Sequence, residues 1–164
     1  MRKELPQQLL RELLKNSKRS DRELAKVLGV SQPTITRARH KLERDGMIEG
    51  YTIVPNFRKM GFELLAINFA KLKPGILLSE VKERAGEYIA KFPNTIFASG
   101  GAGLGMNAVS ISLFRNFAEY QKRVNRFRTE WKEIITDLQS FIVPIATEEE
   151  FKRFSLTHLK DAVL

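Results

Sequence analysis

Hydrophobic positions recur with a helical period in the first third of this chain and with a mixed, partly two-residue period afterwards. Leu9, Leu10, Leu13 and Leu14 stand at helical spacing and stop at the polar run Asn16-Ser17-Lys18-Arg19-Ser20, which predicts a first helix and a turn. Ser20-Asp21-Arg22-Glu23 reads as a capping box that starts a second helix. That helix turns Leu24, Val27 and Leu28 inward and ends at Gly29, a residue free to take the left-handed conformation. Ser31 is a good N-cap, and Pro33 falls in the first turn, where its missing N–H is harmless. In the third helix Ile35, Ala38 and Leu42 form the inner stripe at i, i+3 and i+7. Gln32, Thr36, Arg37, His40 and Lys41 are left facing outward. Asp45-Gly46 stops the helix, and residues 47–54 have room for two very short strands around Glu49-Gly50, a small wing.

Residues 55–61 read as a linker, and the pattern then changes. Residues 64–72 suit a strand, Lys73-Pro74-Gly75 a turn, and Ser79 caps a helix through Phe92 with Val81, Ala85, Tyr88, Ile89 and Phe92 inward. Residues 95–99 predict a second strand, Gly100 to Gly105 a glycine-rich turn, and 107–114 a third, alternating strand. Over 117–135, Tyr120, Val124, Phe127, Trp131 and Ile134 mark an amphipathic helix, and 138–145 gives a last strand. The order β-α-β-β-α-β is the split βαβ pattern of a ferredoxin-like sandwich. The expected fold class is therefore α+β: a winged helix-turn-helix over 1–54, the linker 55–61, a ferredoxin-like domain over 62–146, and a tail, 147–164, with room for one more helix.

Length fits this division, because 164 residues allow one ordinary domain or two small ones. With no cysteine, disulfides, thiolate-bound metals and thiol catalysis are excluded, and the two separated histidines, His40 and His158, leave little for a metal site. No cofactor is expected. No run approaches 18 apolar residues and the first residues lack a secretory apolar segment, so the expectation is a cytoplasmic protein without a membrane partner. Charge changes the picture most. The 28 Lys and Arg against 19 Asp and Glu give a formal +9, and residues 1–50 alone hold 12 basic and 7 acidic side chains. Such a balance suits a polyanionic partner.

Ala25, Gly29, Val30, Ile35 and Ala38 match the spacing at which two helices lock into a helix-turn-helix. The outward face of the third helix then suits the DNA major groove: Gln pairs with adenine, Arg with guanine, and Lys and Thr hold phosphates. The candidate DNA-binding residues are Ser31, Gln32, Thr34, Thr36, Arg37, His40 and Lys41. The glycine-rich stretch does not open onto a helix and lacks G-x-G-x-x-G spacing, so it is not read as a nucleotide loop. Gly101, Gly103, Leu104, Gly105, Met106 and Asn107 are instead candidates for contact with a small ligand or another subunit. Lys122, Arg123, Arg126 and Arg128 alternate with Glu119, Glu130 and Glu133 and read as a solvated face. No nucleophile elbow or Ser/His/Asp arrangement is present, and the chain is not expected to be an enzyme.

The whole order resembles the Lrp/AsnC family, the feast/famine regulators. The likeness is most specific over residues 24–37, Leu24-Ala-Lys-Val-Leu-Gly-Val-Ser-Gln-Pro-Thr-Ile-Thr-Arg37, and over residues 42–51, Leu42-Glu-Arg-Asp-Gly-Met-Ile-Glu-Gly-Tyr51. It implies a transcription regulator that binds double-stranded DNA as a homodimer, often assembled to a tetramer or octamer, and commonly responds to a small-molecule effector such as an amino acid. One departure stands out: where the family usually carries a short Gly-x-x-Asp turn before the third strand, this chain has Gly100 to Asn107, with neutral Asn107 near the expected acid. The alternative reading is a siroheme-decarboxylase-like enzyme on the same architecture, which is expected to need His and Arg together in the second domain, where His158 is the one His.

Overall fold

The computed structural model describes residues 4–145, 152 and 154–163. It divides into two compact units, one built from residues 1–54 and 151–164, the other from 55–150.

The helical unit contains α1 (Leu5–Lys15), α2 (Asp21–Leu28), α3 (Gln32–Arg44) and a 3₁₀-helix (Leu156–Asp161). Its core is a leucine-rich cluster in which Leu9, Leu24 and Ile35 are fully buried beside Ala25, Ala38 and Leu42. Truncating one of the large members to alanine costs about 2–5 kcal/mol. Leu24 and half-buried Leu28 face this core as expected, but Val27 is 56% exposed, because Ala25 takes the inner position one turn ahead of Gly29. The 3₁₀-helix packs on α1, and the Arg11 guanidinium donates to the Val163 carbonyl oxygen from Nε at 2.9 Å. The described tail residues 154–163 thus belong to the helical unit, His158 among them.

The two short strands expected around Glu49-Gly50 are absent: residues 48–56 have no regular structure. Met47, Tyr51, Ile53 and Val54 are all exposed and Ile48 is the apolar residue of the segment packed on the helical core, too little burial to fix a strand register. Residues 55–61, expected as a linker, group with the second unit and include a turn in which Phe62 N–H donates to Phe57 O at 3.0 Å.

That second unit holds β1 (Leu64–Leu72), α4 (Leu78–Ala90), β2 (Thr95–Gly103), β3 (Met106–Phe114), α5 (Phe117–Trp131) and β4 (Ile135–Pro144). The four strands form one sheet in the order β2-β3-β1-β4 with every neighbouring pair antiparallel. This is the arrangement a β-α-β-β-α-β chain reaches through two right-handed crossovers. Ser79 does not cap α4. The cap position is Leu77, two residues earlier, and the Glu80 carboxylate accepts from Leu77 N–H at 3.0 Å. The glycine-rich stretch is strand rather than loop, since β2 continues to Gly103 and the reversal is only Leu104-Gly105, both at positive φ (52° and 72°). Gly100 lies close under α4: a Cβ there would stand 1.9 Å from Leu78 Cδ2, so that side chain would have to shift to admit one.

Candidate nucleic-acid interface

Each end of the turn between α2 and α3 is fixed locally. Ser20 Oγ accepts from Glu23 N–H while the Glu23 carboxylate accepts from Ser20 N–H at 2.7 Å, closing the capping box. Gly29 closes α2 in the left-handed region at φ 66°, with its N–H donating to Ala25 O. Ser31 caps α3, accepting from Thr34 N–H at 3.3 Å, and the Ser31 and Thr34 hydroxyls lie 2.7 Å apart. Ser31 and Thr34 are thereby engaged in holding the helix start.

Thr36 is also engaged. Half-buried, it donates its hydroxyl proton to Asp21 Oδ2 at 2.7 Å rather than presenting it outward. The same carboxylate receives Arg39 Nε at 2.8 Å, so one acid at the start of α2 holds two residues of α3. Arg39 continues to Tyr51 OH at 3.2 Å, and Tyr51 donates to Glu43 Oε1 at 2.8 Å, which ties the segment after α3 back to the helix. Burial alone pushes Asp21 up, but the hydrogen bonds from Thr36 and Arg39 outweigh it and leave its carboxyl below the usual range. Arg39 and Asp21 were not among the sequence candidates. The signal was present, since Arg39 stands at i+4 from Ile35 and three before Leu42, on the flank of the inner stripe.

What remains exposed is narrower than the sequence list. Gln32, Arg37, His40 and Lys41 all lie on the surface of α3. Arg37 Nε donates to the Pro33 carbonyl of its own helix at 3.3 Å; His40 Nδ1 meets Glu43 at 3.2 Å and Lys41 lies 3.8 Å from Asp45. Surface pairs of this kind are weak and release readily to phosphate. Exposed Arg22, Lys26 and Arg44 extend the cationic surface over α2 and the end of α3.

The hairpin candidates separate in the same way. Leu104 is 83% exposed at the tip, and added Cβ atoms on Gly101, Gly103 and Gly105 would meet nothing within 4 Å. Met106 is buried, however, and Asn107 Oδ1 accepts from Leu72 N–H at 2.9 Å, closing the end of β1.

Residues 2–49 match a family model described as winged helix-turn-helix DNA-binding. The chain is 35% identical over 89 residues to the transcriptional regulator LrpA of Pyrococcus abyssi, a match covering 54% of this chain and 61% of that protein. It is 32% identical over 114 residues to LrpC of Bacillus subtilis, covering 66% of this chain and 76% of the relative. The chain belongs to the Lrp/AsnC family. This Lrp/AsnC chain spans a little under two thirds of the length of the first Pyrococcus relatives it matches. Its fold also superposes on a crystal structure of the Neisseria meningitidis regulator NMB0573 in complex with L-Met, with a TM-score of 0.75, 17% identity and coverage of 94% of this chain and 96% of that one. These relatives are regulators, and none lends support to the decarboxylase reading. His158, which that reading needs in the second domain, lies in the helical unit. Among the described residues no helix is long and apolar enough to cross a membrane.

Proposed function

We propose that this Lrp/AsnC chain binds specific double-stranded DNA as a homodimer, with α3 in the major groove, and acts by binding rather than by catalysis. The observation that carries the reading is the division of α3. Ile35, Ala38 and Leu42 are buried against α1 and α2, Thr36 and Arg39 are locked to Asp21, and Gln32 and Arg37 stand exposed on a helix whose orientation is thereby fixed. A rigidly held helix with an amide and a guanidinium free to reach base edges is what direct readout needs. Lys41, His40, Arg22 and Lys26 then serve the phosphates.

Pairing of two chains rests on the sheet. Ile67, Phe69, Ile111, Phe97, Phe141 and Val143 share the face away from α4 and α5, and Phe97, Phe141 and Val143 are 50%, 65% and 37% exposed. An apolar sheet face of this size calls for a cover, and a second copy provides it symmetrically. The hairpin tip at Leu104 is the proposed place for a further subunit or an amino-acid effector, in keeping with the L-Met complex of the Neisseria regulator. Sequencing the genomic fragments retained by the full chain, with sedimentation of the same preparation, tests both parts. One recurrent, roughly palindromic site and a dimer or larger species are expected; retention without sequence preference, or a monomer at micromolar concentration, refutes the corresponding part.

A further inference from the structure

In the middle of the sheet the residue sizes on the two faces are inverted relative to an ordinary sandwich core, while Leu72, Phe114 and Leu138 keep large side chains on the covered face. The register places Ala66, Asn68 and Ala70 of β1, Ala108, Ser110 and Ser112 of β3, and Ala98 and Gly100 of β2 on the face covered by α4 and α5. The large residues Ile67, Phe69, Ile111 and Phe141 point the other way. Small side chains under two helices leave space, and a cavity of about 720 Å³ lies between the helices and the sheet. A void of that size is in the range of small-molecule sites and far above the gaps left in close-packed interiors.

Its wall is aromatic and aliphatic, including Val81, Ile89, Val124, Phe127 and Trp131. Its floor carries a polar stripe: Ser140 donates to Asn68 Oδ1 at 2.8 Å, and Asn68 donates from Nδ2 to Ser110 Oγ at 3.3 Å. Two lining side chains are not satisfied. Tyr88, only 5% exposed, has a buried hydroxyl with no hydrogen-bond partner among the described residues, and Arg123 has a buried Nη1 with none among them. Arg123, expected on a solvated face, is instead half-buried over the rings of Phe92 and Tyr88. Exposed Leu78, Ser79, Lys82 and Gly100 mark a mouth between the start of α4 and edge strand β2.

We propose that this cavity binds an apolar organic carboxylate, its hydrocarbon or aromatic body among the aliphatic and aromatic side chains and its carboxylate taking hydrogen bonds from Arg123 Nη1 and Tyr88 OH. A buried guanidinium nitrogen without an acceptor is costly, and a carboxylate is the ligand that matches its donors. Burial pushes Arg123 down to about 10, so it remains a cation at neutral pH. The cavity lies on the opposite face of the sheet from Phe141 and is distinct from the hairpin tip, so this assignment does not depend on either proposed contact.

Trp131 is the chain's one tryptophan and lines the cavity, so its fluorescence reports occupancy. The full-length protein is titrated with 4-phenylbutyrate and with neutral 4-phenylbutanol, alone and as Arg123→Met and Ala108→Leu, with circular dichroism checking the fold. The expected result is saturable binding of one 4-phenylbutyrate per chain, at least tenfold tighter than the alcohol. In Arg123→Met that preference falls to about one, while both probes still bind. Ala108→Leu, which fills the floor, weakens both; if it fails to fold, Arg123→Met decides alone. Equal binding of acid and alcohol to the parent, an unchanged preference in Arg123→Met, or no binding of either probe overturns the proposal.

Discussion

Arg39 and Asp21 lie 2.8 Å apart with both side chains largely buried, and through this pair the start of α2 sets the position of α3. Removing one member leaves the other charged and poorly solvated, so Asp21→Asn and Arg39→Met should each destabilise the helical unit by about 1–3 kcal/mol. Because the Asp21 carboxyl sits below its ordinary range when folded, its contribution is complete above about pH 4 and is lost as pH falls through the folded value. Glu12, held down first by its hydrogen bond from Lys15 and also by Arg19 against the opposing effect of burial, acts in the same direction. Urea unfolding from pH 7 to pH 2 should therefore show a shallower acid loss in Asp21→Asn than in the parent; parallel curves contradict the assignment.

Leu104 places an exposed leucine at φ 52°, where Asn or Gly is favoured in a two-residue hairpin. Leu104→Asn should raise stability by about 0.5–1 kcal/mol while reducing assembly beyond the dimer. Thermal unfolding and sedimentation read the two effects separately. A variant no more stable and identically assembled removes the case for a contact at the tip.

Phe141 is the most exposed large residue on the open face of the sheet. Phe141→Glu puts a charge on the face proposed to be covered and should weaken dimerisation at least tenfold without loss of secondary structure. Unchanged self-association would direct the search for the interface elsewhere.

The half-buried Arg123 carries a desolvation cost in the absence of a partner, on the order of 1–2 kcal/mol once solvent screening is allowed for. Because burial disfavours its charged form, this cost is present at every pH below about 10 and would be relieved only as pH rises above that value. Arg123→Met, which keeps the stem that packs on Phe92, should leave the ligand-free protein as stable or more stable at pH 7. A loss of more than about 1 kcal/mol would mark Arg123 as a purely structural residue.

Much of this was legible in the residues. Ser20, Glu23, Gly29, Ser31 and Pro33 are local signals, and the helix ends they predict are the ones observed. The inner stripe of Ile35, Ala38 and Leu42 follows from period alone. What escaped depended on contacts distant in sequence. Thr36 looks free until Asp21, fifteen residues earlier, is seen to take its hydroxyl. Asn107 looks like a ligand position until the end of β1 is placed beside it. The glycines of β2 read as a turn because strand pairing with β3, rather than local preference, keeps them extended. Two-residue alternation identifies β3 as a strand, but which face the helices cover is a tertiary fact, and the cavity followed from that choice.

The central claim is that exposed Gln32 and Arg37 on α3 read bases while Lys41 holds phosphate. The most direct measurement is the affinity of the full chain for its selected genomic site and for random duplex at one salt concentration, in the parent, Gln32→Ala, Arg37→Ala and Lys41→Ala. Each of the first two should reduce the specific-to-random ratio by about 5- to 150-fold, the equivalent of ~1–3 kcal/mol, and Lys41→Ala should weaken both affinities about equally. A ratio unchanged by both Gln32→Ala and Arg37→Ala, in folded protein, would contradict the account.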